Sequence, residues 1–506
     1  MMNKAIVSFS IWVVALIASC SLLDIEPKTS WSTTGMPTEL AHLQGLVRGG
    51  YSRLGNALLQ NFVFYGDERA DVYYVYDPTQ PIHDRIARSQ LDVNMGNANW
   101  QPFFEVVKQA NVVIHFTPGM INDGIVTAAN ANTLLGQAYC QRAFAYFWMI
   151  RIWGDVPIVD RPLLNSEESI DVPRSPVAIV LDMIHNDLDS ALKYIPPQTT
   201  VAQVTRTTFS PVAARAIKAH AYMWDHRYEQ ALEQLDLAIP TNTTMYRLAS
   251  LYDGTQTPVD NAVFRTWVGT TEFSKLFNNT GSSINPESIF ELNHSVDDGH
   301  FNQWFDNFWT ASMPYFKVRE EFRGIFSNVD FRLYASIGAV SGGRYNATKW
   351  VFNYVRNDAR NVLLIRLADL KLLRAEARVM MIPEDIDPTD EERDKIMSDV
   401  NDIAQRARGG QGIYQGYKDH QVWFREDFVN TIKRERRIEL AFEGQRWFDL
   451  VRWGDVVDAL AAMEESKASY TFYNGPVYLN PKAIVWPVHY VEIRRSKYIE
   501  QNEFYR

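Results

Sequence analysis

The feature that most constrains the fold is a segment near the carboxyl terminus in which apolar and charged residues are interleaved. Residues 434–455 read RERRIELAFEGQRWFDLVRWGD. On a helix the apolar residues of this segment spread around every side, and a helix that is apolar all round is buried all round. The charged residues between them must then be partly buried, and buried charges need partners. The segment therefore predicts a buried network of arginine–carboxylate pairs.

The carboxylates of this segment also allow a catalytic interpretation, in which two of them serve a glycoside hydrolase as general acid and base. The candidates are Glu435, Glu439, Glu443 and Asp449. Each has an arginine within a helical turn, and a neighbouring cation lowers the pKa of a carboxyl group. The pattern favours a structural network, so we predict no catalytic residue and no cofactor.

The first twenty residues indicate export from the cytoplasm. Lys4 precedes an almost wholly apolar run of roughly 14 residues, which is shorter than the ~20 that a membrane-spanning helix needs. A positive start, a short apolar run and small residues are typical of a secretion signal. The run ends in Ile17-Ala18-Ser19-Cys20, which resembles the lipobox of bacterial lipoproteins, where the thiol is acylated. We predict a signal peptide at 1–19 and lipidation at Cys20; the alternative is an ordinary signal with Cys20 incidental.

Composition narrows the kinds of partner and site. The chain has 506 residues, of which 46% are hydrophobic and 22% charged, as in a globular protein with an ample core. A net charge of −10 without a basic stripe argues against nucleic acid as a partner. With Cys20 lipidated, Cys140 has no partner, and we expect it to be buried and inert. No cysteine pair or His-x₃-His grouping suits zinc, and the run 297–299 lacks the spacing of a calcium loop, so no metal site is predicted.

Helical spacing recurs along the chain, largely in pairs. Helices are predicted over 38–54, 100–116, 131–152 with 175–194, 211–224 with 228–239, and 361–381 with 392–408. The second of these pairs has small residues at close contacts and resembles a tetratricopeptide unit. We predict a mainly α fold with a tetratricopeptide-like helical-repeat scaffold, long loop insertions and a few short strands. The insertions fall in 241–360, and loops of such length inside a compact domain are usually functional.

Several motifs resemble the SusD/RagB family of Bacteroidetes outer-membrane lipoproteins. The segment 434–455 looks like the hallmark of that family, and further matches occur in order along the chain: Leu23-Asp24-Ile25-Glu26-Pro27 after Cys20, Arg142-Ala143-Phe144 through Trp153-Gly154-Asp155-Val156-Pro157, Arg366-Leu367-Ala368-Asp369 with Arg374-Ala375-Glu376-Ala377, Asn401 with Arg406-Ala407-Arg408, and Trp486-Pro487 with Gln501-Asn502. The ending Gln501-Asn502-Glu503-Phe504-Tyr505 lacks the usual Pro-Gly.

The resemblance implies how the chain is organised. We expect a signal peptide at 1–19, a lipidated tether at 20–37, a SusD-like N-terminal helical region at 38–240, loop-rich ligand-binding insertions at 241–360, and a RagB/SusD C-terminal region at 361–506.

The resemblance also implies a function, which is binding and not catalysis. A lipid-anchored, surface-exposed protein of the outer membrane would capture an oligosaccharide and deliver it to a SusC-like TonB-dependent transporter. The helical-repeat face would pack on the transporter, while the loops would form the ligand site. The alternatives are a non-glycan nutrient such as a peptide, a glycoside hydrolase, and an adaptor that binds other cell-envelope proteins through its scaffold.

Aromatic residues make up 13% of the chain and provide the candidate ligand platforms. Aromatic faces stack on the apolar faces of sugar rings, and polar side chains fix the hydroxyls. The alternative for each single ring is core packing. The predicted ligand-binding residues are the platforms Tyr73, Tyr74, Tyr76, Trp304 and Trp309, with Arg69 and Asp71 as polar partners.

Overall fold

Helices dominate the structure. The computed structural model describes residues 36–59, 61–77, 79–163, 171–198, 206–239, 246–251, 262–277, 285–293, 314–340, 344–350, 361–408, 424–466 and 483–506. Its α-helices, apart from one short turn at Asn61–Val63, are α1 (Leu40–Leu58), α2 (Pro81–Ala87), α3 (Gln101–Asn122), α4 (Ala128–Trp153), α5 (Val177–Tyr194), α6 (Pro211–Trp224), α7 (Tyr228–Ala238), α8 (Ala262–Val268), α9 (Glu272–Leu276), α10 (Glu320–Arg323), α11 (Phe331–Ser336), α12 (Leu367–Met380), α13 (Asp390–Ala407), α14 (Arg425–Glu439), α15 (Arg446–Trp453), α16 (Val456–Ser466) and α17 (Tyr490–Arg495). The predicted mainly α fold is confirmed.

The predicted helix pairs form the scaffold. Helices α4 and α5, α6 and α7, and α12 and α13 pack as three pairs, and contacts of α5 with α6 and of α7 with α12 join them in chain order. Helices α1 and α3 extend the stack from α4. The stacking buries the small and apolar faces that each helix cannot cover alone. The bounds of the first helix differ from the predicted 38–54: α1 has Glu39 as its N-cap residue and continues to Leu58.

The strands form four small antiparallel sheets of two strands each among the described residues. They are β1 (Tyr73–Val75) with β5 (Phe316–Val318), β2 (Val156–Pro157) with β3 (Arg174–Ser175), β4 (Ser288–Leu292) with β8 (Val362–Arg366), and β6 (Ile337–Val340) with β7 (Arg344–Ala347). Each pairing joins sequence-distant residues or closes a hairpin beside the helical scaffold. The alternating run at 288–292 is a strand, as its period suggests.

The helix predicted over 361–381 is shorter than expected. Residues 362–366 are a buried strand that pairs with β4, and α12 begins only at Leu367. Val362-Leu363-Leu364-Ile365 is apolar on both faces, so it shows neither helical nor strand periodicity. Its pairing with β4, about 70 residues earlier in the chain, decides its conformation.

The segment 434–455 is buried, but it is not one helix. Helix α14 ends at Glu439 and α15 begins at Arg446, with left-handed backbone at Phe442 (φ 68°) and Gly444 (φ 72°) between them. A Cβ atom on Gly66 would lie 1.8 Å from the carbonyl oxygen of Gly444, so two backbones touch here and neither residue tolerates a side chain. This contact with a π-helical segment, Phe64–Glu68, breaks the helix that the sequence pattern suggested.

Large aromatic rings fill the core between these elements. Trp100, Trp148, Trp153, Trp447 and Trp486 are all within 2% of complete burial. Cys140 lies unpaired and buried in α4, and burial raises the pKa of its thiol, as expected for an inert residue. Among the helices that the structure describes, none has the length and apolarity to cross a membrane.

Candidate functional site

The charged residues around the break in 434–455 form the predicted network. Arg366, at the start of α12, donates five hydrogen bonds of 2.7–2.9 Å to Glu287, Glu439, Glu443 and the backbone oxygen of Glu439. Its side chain is 1% exposed, and those of Glu287 and Glu439 are 0% exposed. Arg332 binds the other oxygen of Glu439 at 2.8 Å. A guanidinium group in this setting satisfies several buried carboxylates at once.

The network is balanced in charge. Its cations are Arg332, Lys349, Arg366, Arg406 and Arg408, and its anions are Glu287, Asp330, Glu435, Glu439 and Glu443. A second group joins α12, α14 and α15, in which Arg436 binds Asp369 at 2.9 Å and Asp449 at 3.0 Å. The ion pairs of the first group join residues up to 119 apart in the sequence, as for Arg406 and Glu287. The sequence interpretation of a structural network is confirmed.

The same contacts argue against a hydrolase at Glu439 and Asp449, whereas burial raises the pKa of Glu435 despite its contact with Arg332. Burial by itself raises the pKa of Glu439, but the charges of Arg406, Arg366 and Arg332 hold that pKa well below its usual value. A carboxylate that is ionised, buried and bound by cations can neither protonate a leaving group nor reach a sugar. Asp449 is in the same situation. Burial raises its pKa, but the charges of Arg436 and Arg452 outweigh this effect and hold the pKa below its usual value.

Both predicted polar ligand contacts, Arg69 and Asp71, are largely buried. Arg69 is 0% exposed, donates to the backbone oxygens of Ala483 and Ile484, and lies 4.0 Å from the ring centre of Trp447. Asp71 binds Arg446 at 2.9 Å and Arg437 at 2.8 Å. These contacts connect the π-helical segment to α14 and α15. The placement favours a structural role for both residues.

The pleat of β1 places the predicted tyrosines on two different faces of its sheet. Successive side chains of a strand point to opposite faces. Tyr73 is 0% exposed and stacks between Phe316 and Phe442, with ring centres 5.3 Å apart in each case. Tyr74 lies opposite Lys317 of β5, and Tyr76 follows it on the same side. Tyr73 is therefore a core residue, whereas Tyr74 and Tyr76 belong to the other face of the sheet.

That other face holds the best candidate for a ligand site, here called the Tyr76 face. It consists of Tyr74, Tyr76, Lys317, Arg344 and Asn346. The backbone N–H of Tyr76 donates to the oxygen of Tyr315 at 2.8 Å, which aligns the residue with β5. Arg344 of β7 donates to the hydroxyl of Tyr76 at 2.7 Å. The half-buried ring is thus held in position from two directions, and such pre-organisation favours ligand binding.

Two cations approach the ring of Tyr76. The Lys317 ammonium lies 4.9 Å from the ring centre and the Arg344 guanidinium 5.0 Å from it, and Lys317 also donates to Asn346. Burial lowers the pKa of Lys317 to about 8, and repulsion from Arg344 contributes. Burial raises the pKa of Tyr74 to about 12. The face therefore combines an oriented aromatic ring, hydrogen-bond donors and positive charge.

The sequence interpretation missed Lys317, Arg344 and Asn346. Each is a single polar residue in a short strand, without a motif around it. The signal that was available is alternation, since Lys317 lies between the buried Phe316 and Val318. Alternation says that the side chain faces away from the core, but it does not say which other strand lies next to it.

Two grooves lie along α1. One has a volume of about 750 Å³ and is lined by small and polar residues such as Gly45, Gly49, Ser52 and Asn56. A second, of about 590 Å³, lies between α1 and the edge of β4. The first groove has no tyrosine, tryptophan or phenylalanine in its described lining, and its one aromatic ring there is the imidazole of His42.

Several predicted residues lie outside the described part of the chain. They are Cys20, Trp304, Trp309 and the run 297–299. The lipidation of Cys20 and the platform roles of the two tryptophans stay predictions, as do the domain boundaries.

The structure is that of a helical-repeat protein with a buried arginine–carboxylate hub. Comparison with known sequences gives its family. A profile of the SusD family matches residues 224–505, which is more than half of the chain. A second profile, described as "Starch-binding associating with outer membrane", matches residues 26–223. The chain belongs to the SusD family.

Known relatives agree over nearly the whole chain. A SusD-like protein of Formosa agariphila is 25% identical and is matched over 97% of this chain and 96% of its own length. A SusD homologue from Bacteroides thetaiotaomicron has a similar structure, with a TM-score of 0.73, 17% identity, and coverage of 94% of this chain and 99% of its own. A laminarin-binding SusD-like protein gives a TM-score of 0.70 at 18% identity, covering 92% of this chain and 100% of its own. These structures share the predicted tetratricopeptide-like helical fold.

Proposed function

We propose that this protein is an oligosaccharide-binding lipoprotein of the outer membrane that delivers its ligand to a SusC-like TonB-dependent transporter. The observation that carries the proposal is the Tyr76 face, where a half-buried aromatic ring is fixed between hydrogen-bond donors. Sugar rings bind to such surfaces by stacking and by hydrogen bonds to their hydroxyls. The description of the matching N-terminal profile and the laminarin-binding relative point to the same ligand class.

Binding without catalysis is part of the proposal. The carboxylates that suggested a hydrolase are consumed by the arginine network, and the Tyr76 face contains no carboxylate pair. A protein of this kind holds its ligand until another component takes it over. Incubation of the purified protein with a glycan panel should give binding without cleavage, and turnover that Glu443→Gln abolishes would contradict this part.

The Tyr76 face can be tested with a matched pair of tyrosines. A glycan array identifies the ligand of the wild-type protein, and calorimetry then measures its affinity for the variants. Tyr76→Ala should weaken binding about tenfold or more, because the ring and the group that orients Arg344 are both lost. Tyr345→Ala is the control, since Tyr345 is also half-buried in β7 but faces Arg323 on the opposite side. Equal affinities for Tyr76→Ala and the wild type would refute the site.

The two predicted tryptophan platforms require a separate experiment. Trp304→Ala and Trp309→Ala should each weaken oligosaccharide binding if these rings contact the ligand. Unchanged affinity in both variants would remove them from the site and leave the role of Tyr76 unaffected.

The anchor and the transporter complete the proposal. A multiply acylated Cys20 would hold the protein stably at the membrane, since one acyl chain gives only marginal binding. The tether would confine the protein near its transporter and raise the local concentration of each for the other. Co-purification of the wild-type protein with a TonB-dependent transporter from its own outer membrane tests the partnership. Co-purification with other envelope proteins, without any small ligand, would favour the adaptor alternative.

A further inference from the structure

Lys317 and Arg344 differ from the cations of the hub itself. Arg332, Arg366 and Arg436 each bind two or more carboxylates. Within the described part of the chain, the side-chain hydrogen bonds and cation–ring contacts of Lys317 and Arg344 are made with Tyr76 and Asn346, and no ion pair joins either cation to a carboxylate. Two positive charges therefore lie near the ring of Tyr76, and neither is paired with a carboxylate of the described residues.

Two acidic residues near this face, Asp77 and Glu320, form no ion pair with Lys317 or Arg344. Asp77 follows Tyr76 directly, but its two oxygens accept hydrogen bonds from Thr79 and Gln80 in a local turn. Glu320 is exposed at the start of α10, and its negative charge contributes to the raised pKa of Tyr74. The chain as a whole carries a net charge of −10, so a positive spot of this kind runs against its overall charge.

An uncompensated cation in a half-buried site costs free energy unless an anion comes to it. Lys317 is 5% exposed, so its ammonium is largely removed from water. Arg344 uses one N–H for the hydroxyl of Tyr76, which leaves the rest of its planar fork available. A guanidinium fork binds the two oxygens of a carboxylate or a sulfate side by side.

We propose that the Tyr76 face selects acidic oligosaccharides, with Arg344 and Lys317 binding a carboxylate or sulfate group on a sugar ring that Tyr76 contacts. The inference rests on the proposed function, because it names the ligand class of the same site. Uronic acids and sulfate esters supply the same chemistry, which is an oxyanion on a ring with hydroxyl groups.

The test compares three hexasaccharides with the mature protein by calorimetry: an oligogalacturonate, a sulfated galactan and a neutral β-1,3-glucan. One or both acidic ligands should bind about tenfold or more tightly than the neutral one, since hydrogen bonds to charged groups are the stronger ones. Raising NaCl from about 50 to about 300 mM should weaken only the acidic ligand, because salt screens exposed charges. The carboxylate and sulfate arms distinguish the two sources of the oxyanion.

Variants locate the effect. Arg344→Gln and Lys317→Gln should each lower the affinity for the acidic ligand about tenfold. Arg344→Lys keeps the charge but not the fork, and should recover part of the loss. Arg323→Gln is the matched control, because Arg323 lies over Tyr345 on the opposite side of β7. Thermal melting of each variant verifies that the fold is retained.

The outcomes separate the two proposals. Preferential binding of the neutral glucan, insensitive to salt and to Arg344→Gln, would overturn the acidic-ligand inference and support the proposed function. Binding of none of these oligosaccharides, together with a blank glycan array, would overturn both.

Discussion

Replacement of Arg366 by methionine is the strongest test of the buried hub. The side chain is 1% exposed and links Glu287, Glu439 and Glu443 in one place. Breaking a buried ion pair by removing one partner typically costs about 3–5 kcal/mol. Methionine has a similar length, so the cavity contribution is small. The loss therefore comes mainly from carboxylates that are left buried with one partner fewer.

The remaining contacts set the magnitude at the lower end of that range. After the substitution Glu443 keeps Lys349 at 2.6 Å, Glu439 keeps Arg332 at 2.8 Å, and Glu287 keeps Arg406. None of the three carboxylates is orphaned, and we expect a loss of about 3 kcal/mol in the free energy of unfolding. That is a large part of the ~5–15 kcal/mol that holds a typical domain together.

Urea denaturation followed by tryptophan fluorescence measures this loss. Lys395→Met is the control, because its partner Glu391 is 79% exposed and surface pairs contribute only about 0.3–0.5 kcal/mol. The deficit of Arg366→Met should shrink in acid, where the carboxylates that lost a cation take up protons more easily. A variant within about 1 kcal/mol of the wild type at neutral pH would refute the idea that the hub is a principal source of stability.

Three further predictions address the backbone contact, a buried histidine and the anchor. Gly66→Ala should destabilise the protein by about 1–3 kcal/mol or more, because its Cβ would lie 1.8 Å from the oxygen of Gly444. Gly55→Ala, with nothing within 4 Å, should be neutral or stabilising in the same urea titration. Burial and two neighbouring cations lower the pKa of His185 from 6.5 to about 4, so the unfolded chain takes up a proton first and stability falls as the pH drops from 6.5 towards 4. His185→Phe should flatten this part of the pH profile by up to about 2 kcal/mol, and an unchanged slope would contradict the assignment. Cys20→Ser should release the protein from membranes on fractionation while leaving ligand affinity intact, and its retention there would argue against lipidation.

Local patterns in the sequence determined the scaffold. The helix pairs follow from a 3.6-residue period that each segment carries by itself, and the pairs stack in chain order as the structure describes them. The charged network also followed from the sequence, since a segment that is apolar on every side must bury the arginines and glutamates within it. The particular partners did not, because Glu287 lies just before β4 and Arg366 ends β8, far from 434–455.

The sequence pattern indicates only part of the candidate site. The run Tyr73–Tyr76 does not by itself separate Tyr73, stacked in the core, from Tyr76 on the opposite face. Arg69 and Asp71 looked like ligand contacts because their partners Trp447 and Arg446 lie more than 370 residues later in the chain.

What the sequence alone determined, then, was the helical period and the burial of the charges within 434–455, both of which depend on neighbours along the chain. Tertiary structure decided which side of β1 meets the core, where 434–455 breaks, and that Lys317 and Arg344 converge on Tyr76. The physical reason is that a side chain's burial and charge environment depend on strands that arrive from hundreds of residues away.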